Sequence, residues 1–261
     1  MKRSTYIMGT MIMAGVALMA SVFVYVRSVG VEYTPIKGVR LTSETVRYDL
    51  PEFDSVKFDL RYEYNEEAVG AVYCNDQFPI TFICNDSAVK PYMCVPKELV
   101  ESKSFAMDST ALSITINSTS PYLQNVPESG GVKIVIPSRM KVNNIEISDH
   151  CWASDLKIAY MNGDNMTVKC SSNKDQNLNI EQCSWNNFSS LNFSRIEFND
   201  FESEEVTVWA CRETWVTAED AVDVKSLVLT GGTVDFILDG FKDYEVKPIG
   251  DATIGVKQLY Q

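Results

Sequence analysis

VKIVIPSRMKVNNIEISDH (residues 132–150) is the stretch that decides the fold. Val132, Ile134 and Ile136 alternate with Lys133 and Val135, so one face of the segment is wholly aliphatic. Ile145 and Ile147 repeat that spacing after a polar turn. A period of two puts alternate side chains on opposite faces of an extended chain, which is the signature of a strand. The pattern then recurs toward the C-terminus as Leu156 and Ile158, Met166 and Val168, Leu178 and Ile180, Leu191 and Phe193, Ile196 and Phe198, and Val206 and Val208. From residue 145 to 178 these pairs start 10 to 12 residues apart, and uneven steps follow. Further pairs occur at Val234 and Phe236 and at Ile254 and Val256.

The same alternation precedes residue 130. Val56, Phe58 and Leu60 form one apolar face, and Leu112, Ile114 and Ile116 form another. Residues 97–107, KELVESKSFAM, are the best candidate for a helix after residue 30, but their apolar positions are too sparse, and they read as loop or strand. Evenly spaced short strands fit a hairpin-built sandwich or barrel, or a β-solenoid in which each strand stacks on its equivalent. Hairpins favour Asn-Gly, Asp-Gly or Gly-Gly loops. Only Asn162–Gly163, Gly231–Gly232 and Asp239–Gly240 supply them across the long repeat region; the other corners are Ser- and Asn-rich. The expected fold class is therefore all-β, a β-solenoid or β-helix-like stack of short strands.

Residues 6–26, YIMGTMIMAGVALMASVFVYV, carry no charge. At about 1.5 Å per residue a helix of that length spans a bilayer core of about 30 Å. Lys2 and Arg3 precede it, which favours a cytoplasmic N-terminus. The expected organisation is a cytoplasmic tail at 1–5, a transmembrane signal anchor at 6–26, a linker at 27–45 and an extracytoplasmic domain at 46–261, with a possible subdivision near residue 130. The protein would sit in the inner membrane as a single-pass, mainly periplasmic protein, partnered to the membrane through that helix. A cleaved signal peptide is the competing reading and would give a secreted or surface protein.

The 261 residues carry 23 Lys and Arg, 35 Asp and Glu and one His, a net charge of −12. Lys2, Arg3 and Arg27 hold all the charge of the first 30 residues, so everything beyond is more acidic still. Nucleic acid is excluded as a partner, because no cationic footprint exists to displace counterions from phosphates. The apolar share of 45% is too high for a disordered acidic chain.

No motif of chemistry stands out. Phosphate-binding and dinucleotide-binding glycine loops and the nucleophile elbow are absent. His150, with Asp149, Asp155 and Ser154 nearby, is the only histidine a Ser-His-Asp arrangement could use, and it reads as a turn residue. Asp200, Glu202, Glu204 and Glu205 form one acidic cluster, and Glu219, Asp220 and Asp223 another. Both lack the calcium-loop pattern and read as solvated corners. Trp152, Trp185, Trp209 and Trp215 fill the core or offer a stacking platform. In one uninterrupted strand Trp209 and Trp215 share a face; a turn over 212–214 would separate them.

Cys74, Cys84, Cys94, Cys151, Cys170, Cys183 and Cys211 include no C-x-x-C pair. One disulfide near Cys74–Cys84 and no disulfide at all both fit. Five glycosylation sequons occur, at Asn85, Asn117, Asn165, Asn187 and Asn192, in a chain rich in Asn, Ser and Thr. No catalytic, cofactor-binding or metal-binding residue is assigned, and no ligand-binding residue can be named.

The order of motifs resembles a known family. Phe53-Asp54-Ser55-Val56-Lys57 opens the domain, DSTALSITINST (108–119) forms a strand, and GVKIVIPSRMKVNNIEISDHCW (131–152) leads into the repeats. This order is similar to the GIN-domain family, also described as auto-transporter adhesin head domains and common in Bacteroidetes as exported β-solenoid-like proteins. The resemblance covers about residues 46–257. The family's Gly-rich turn after the Pro-containing strand is replaced by ISDHCWASD (147–155), and cysteines are more numerous. The resemblance implies a non-catalytic, membrane-anchored binding or adhesion-like module of the cell envelope, with an envelope glycan or another envelope protein as partner. Two alternatives stand beside it: a carbohydrate-active β-helix lyase or hydrolase using the acidic clusters, and an accessory subunit of an envelope signalling complex.

Overall fold

The computed structural model describes Met19, Ser21 and residues 38–64, 68–74, 78–100, 103–124, 131–148, 150, 154–171 and 176–259. The chain divides into two compact units, Met1–Ile36 and Lys37–Gln261. The larger unit opens with β1 (Val39–Arg40), β2 (Thr45–Asp49), β3 (Ser55–Tyr64), β4 (Ala68–Ala71), β5 (Tyr73–Cys74), β6 (Phe78–Asn85) and β7 (Tyr92–Pro96). A single 3-10 turn, Lys97–Leu99, leads to β8 (Lys103–Asp108), β9 (Ala111–Ser118) and β10 (Tyr122–Gln124). Among the described residues of 97–107 the structure has this turn and most of β8, in keeping with the expected loop or strand.

The repeat region supplies β11 (Val132–Pro137), β12 (Asn144–Ile147), β13 (Ser154–Ala159), β14 (Asn162–Cys170), β15 (Asn177–Leu191) and β16 (Arg195–Ala210). β17 (Thr214–Ala218), β18 (Val222–Gly231), β19 (Val234–Asp239), β20 (Glu245–Pro248) and β21 (Ile254–Leu259) complete it. β1, β10 and β5 form a small sheet, and the other 18 strands form one large sheet.

Parallel pairing runs through the large sheet in two series. One passes from β3 through β12 and β14 to the C-terminal halves of β15 and β16, then to β18 and β20. The other passes from β11 through β6 and β13 to the N-terminal halves of β15 and β16, then to β17, β19 and β21. Antiparallel additions are β7 on β11 and β2, β4 on β3, and β8 on β9.

This corrects the expectation of a β-solenoid or β-helix-like stack of short strands. β15 and β16 are 15 and 16 residues long and belong to both series, so the strands form one curled half-barrel sheet of mixed pairing. The physical cause is a slip in alternation. In β15 the buried positions run Leu178, Ile180, then Cys183 and Trp185. Gln182 takes φ 51° at the slip, a left-handed conformation that bends the strand without ending it. Asp200 does the same in β16 with φ 50°. Sequence alternation breaks at each slip, and one long strand reads as two short ones.

A second correction concerns the N-terminus. Crossing a membrane takes about 20 consecutive helical residues, and among the described residues no helix is long and apolar enough to do so. The transmembrane anchor over 6–26 is therefore not supported, nor are single-pass inner-membrane localisation and attachment to the membrane through that helix. Within that segment only Met19 and Ser21 are described residues; the rest of it lies outside them.

One hydrophobic cluster lies inside the curl. Every apolar residue singled out from 132 to 208 contributes except Leu191 and Val135, and within the cluster Phe188, Phe198 and Phe201 meet edge-on or tilted. Trp185 stacks on Phe188 with ring centroids 5.4 Å apart. Gly131 serves the packing of β11 on β6: a Cβ there would lie 1.8 Å from the Pro79 carbonyl oxygen, so only glycine lets the two backbones approach.

Candidate functional site

Four adjacent parallel strands, in the order β11, β6, β13 and β15, turn at one rim of the sheet. Ile136 of β11 lies opposite Cys84 of β6, and Ala159 of β13 lies opposite Ile83. The loops after β11, β6 and β13 and the bend at Gln182 in β15 enclose a cleft of about 630 Å³. Ile83, Ile136 and Met161 give it apolar walls, while Asn85, Ser87, Ser138, Asn162 and Gln182 present amides and hydroxyls. Among the described residues Asp86 is the one formally charged lining residue.

Tyr160 stands at the lip, 46% exposed, with φ 59°. Its backbone N–H donates to the Glu181 carbonyl at 3.1 Å, which anchors the corner to β15. The loop after β6 is set by Asn85, whose Oδ1 accepts from the Ser87 N–H at 2.8 Å, a local turn that asparagine favours. The loop after β11 is closed by the Met140 N–H donating to the Pro137 carbonyl at 2.9 Å. These bonds fix the rim before any ligand arrives.

Two thiols lie at the cleft. Cys84 lines it, and burial, followed by the Asp86 charge, pushes its thiol above the usual range. Cys183 is buried behind it and is pushed up to about 12, chiefly by burial. Its Sγ donates to the Glu181 carbonyl at 3.2 Å and accepts from the Met161 N–H at 3.4 Å. Neither sulfur is poised as a nucleophile. Cys84, Cys94 and Cys183 are free thiols, so Cys84 takes part in no disulfide; the side chains of Cys74 and Cys151 lie outside the described residues. Among the described residues no group of three or more His, Cys, Asp or Glu side chains could hold a metal ion.

The residues singled out from the sequence lie elsewhere. His150 Nδ1 sits 3.1 Å from Asp59 Oδ1, an aspartate 91 residues away. Ser148 Oγ donates to the same Asp59 oxygen, and Arg61 Nη1 lies 3.8 Å from the other. Arg61 Nε in turn donates to Asn117 Oδ1 at 2.9 Å. Asp59 is thus the hub, holding Ser148 and His150 apart on one oxygen rather than passing a proton between them. Asp149, Trp152 and the side chain of Ser154 lie outside the described residues. Asp155 faces outward from β13, and burial, then the Glu197 charge, raises its carboxyl above the ordinary range.

The two acidic clusters come together across β16 and β18, where Glu202 is in register with Asp223. Their carboxylates are solvent-exposed, and Glu204 pairs with Lys225. None of their residues is among those that line the cleft. Trp185 is core, 2% exposed. Trp209 and Trp215 are divided by the turn at 211–213, and Trp215 stands 41% exposed on β17. The sequons resolve into structural roles. Asn187 Nδ2 donates to Asn165 Oδ1 at 2.9 Å, Asn192 Nδ2 donates to the Cys170 carbonyl at 3.2 Å, and Asn85 and Asn117 accept the bonds given above.

Sequence reasoning missed the cleft because its lining comes from four separated segments. The one local signal was the Asn- and Ser-rich composition of the corners. No family model and no curated protein matches the chain, so the GIN-domain resemblance is not confirmed. Among solved structures the chain is similar to a proposed adhesin from Bacteroides fragilis, at TM-score 0.49 and 14% identity, over 85% of this chain and 100% of that one. It is similar to a proposed lipid-binding protein from Parabacteroides distasonis at TM-score 0.42 and 10% identity, over 84% and 99%. A proposed adhesin from Parabacteroides merdae aligns at TM-score 0.36 and 12% identity, over 85% and 99%. At these values the likeness fixes neither family nor ligand.

Proposed function

We propose that the unit Lys37–Gln261 is a non-catalytic binding module whose Tyr160 cleft takes a neutral saccharide of a cell-envelope glycan. The composition of the cleft supports this reading. A pyranose presents hydroxyls at its edge and C–H groups on its face. Asn85, Ser87, Ser138, Asn162 and Gln182 offer both donors and acceptors to the edge, and the exposed Tyr160 ring offers a surface to the face. With Asp86 the only charged lining residue among those described, a strongly anionic ligand gains nothing there.

The lyase or hydrolase alternative needs a pair of carboxylates flanking one bond. Among the described residues the cleft's lining holds one, and no residue of the acidic clusters is part of it. The accessory-subunit alternative predicts a protein partner instead. A glycan-array screen followed by calorimetry on the full-length chain tests the proposal. We expect a saturable glycan hit, recovered chemically unchanged, and a loss of affinity of about tenfold in Tyr160→Ala, the scale of one aromatic contact. A hit unaffected by Tyr160→Ala, cleavage of the glycan, or a crosslinked envelope protein with no glycan hit would overturn it.

A further inference from the structure

The C-terminal end of the large sheet differs from the rest. Val246 on β20 is in register with Leu229, and Leu229 with Val208, both of which are 0% exposed. Val246 continues that core column and is itself 38% exposed. Tyr244 and Ile249, close to it in the chain, are exposed as well. Among the described residues β20 pairs only with β18, so its other edge carries open backbone groups.

The direction of those groups is fixed. The Ile249 N–H donates to the Gly231 carbonyl at 2.9 Å, and the Lys247 carbonyl accepts from Thr230 Oγ1 at 2.6 Å. Residues 247 and 249 therefore face β18, and the alternation of a strand turns residues 244, 246 and 248 to the open edge.

We propose that this edge is the seam of a two-fold homodimer, with β20 of one copy antiparallel to β20 of the second and the axis passing at Val246. Three features of the sequence fit that register and no neighbouring one. Val246 faces Val246 of the second copy and exchanges both backbone hydrogen bonds with it. Glu245 falls opposite Lys247, so the exposed ion pair made within one chain at 2.9 Å becomes two cross-strand pairs of opposite charge. Tyr244 falls opposite Pro248, where its N–H finds the Pro248 carbonyl and the N–H that proline lacks costs only the reciprocal bond. A shift by one residue would instead turn the apolar column of one copy against the charged face of the other. The self-complementary charge pattern selects a second copy over an unrelated strand.

Sedimentation velocity of the full-length chain, over a concentration series, tests the seam. We expect a reversible dimer. Lys247→Glu sets like charges against each other twice and should raise the dissociation constant at least about tenfold. The double variant Glu245→Lys/Lys247→Glu restores opposite charges in the same register and should return the constant to within about threefold of the unaltered chain. Val246→Cys should give an interchain disulfide at position 246 on mild oxidation, since directly facing residues of a hydrogen-bonded pair sit about 5.5 Å apart, within disulfide reach. A chain that stays monomeric throughout, a dimer indifferent to Lys247→Glu, or a double variant that fails to recover would each overturn the proposal.

Discussion

Cys183 shows how a single side chain couples packing to solution behaviour. It is buried at 3% exposure, with its sulfur bonded between β13 and β15, and its thiol is pushed from 9.0 up to about 12. The unfolded chain sheds that proton from about pH 9, while the folded chain keeps it. The folded state therefore binds more protons in this window, and stability falls as pH rises. The stabilisation is full below pH 9 and lost by pH 12, at about 1.4 kcal/mol per unit. Urea denaturation between pH 8 and 11 should show this slope as a difference between the unaltered chain and Cys183→Ala, with the variant's curve flatter. Parallel curves would remove burial as the cause. His150 teaches the complementary lesson about reading single residues. Its neighbours in sequence pointed to Asp149, Asp155 and Ser154, whereas its partner Asp59 arrives from β3, 91 residues earlier. Nothing local could have named it.

Strands, rather than residues, were the legible unit. The faces Val56–Phe58–Leu60, Leu112–Ile114–Ile116 and Val132–Ile134–Ile136 became β3, β9 and β11 with those residues buried, because period-two burial is written directly in the sequence. The corners were not legible, because a left-handed residue leaves no mark when it is not glycine. Tyr160, Gln182, Asp200 and Ala221 stand in register at successive corners, two inside strands and two between them, with φ between 50° and 59°. Only the first two serve the cleft, so the column is first of all a bending device. It also stores strain, since the left-handed region costs an L-residue about 1–2 kcal/mol. Ala221 is exposed and contributes no side-chain packing that its removal would sacrifice. Ala221→Gly should therefore stabilise the protein by about 0.5–1 kcal/mol in urea denaturation. Ala218→Gly, in ordinary strand backbone three residues earlier, should destabilise it by a similar amount. If both changes destabilise, the corner is not strained.

At the scale of the Lys37–Gln261 unit, the parallel series impose a direction on stability. A strand such as β16 is held on one side by β15 and on the other by β17 and β18, and it buries Ile196, Phe198, Phe201, Val206 and Val208. β20 is held on one side, with all four of its residues exposed, and β21 pairs only with β19 among the described residues. Opening β20 and β21 costs little buried apolar area, whereas opening β16 breaks two ladders and divides the aromatic cluster of Phe188, Phe198 and Phe201. The sheet should therefore open from its C-terminal end inward. Hydrogen exchange read by mass spectrometry can follow this, provided the chain is held monomeric, for which Lys247→Glu is suited. In that variant, peptides covering 245–248 and 254–259 should exchange at least about a hundredfold faster than those covering β15 and β16. In the unaltered chain, raising the concentration should slow the Val246 amide while leaving the interior of β16 unchanged, because dimerisation would protect the edge that β18 leaves open. Uniform exchange across the sheet would mean that the unit unfolds all at once, and the gradient from interior strand to open edge would then have no place in its energetics.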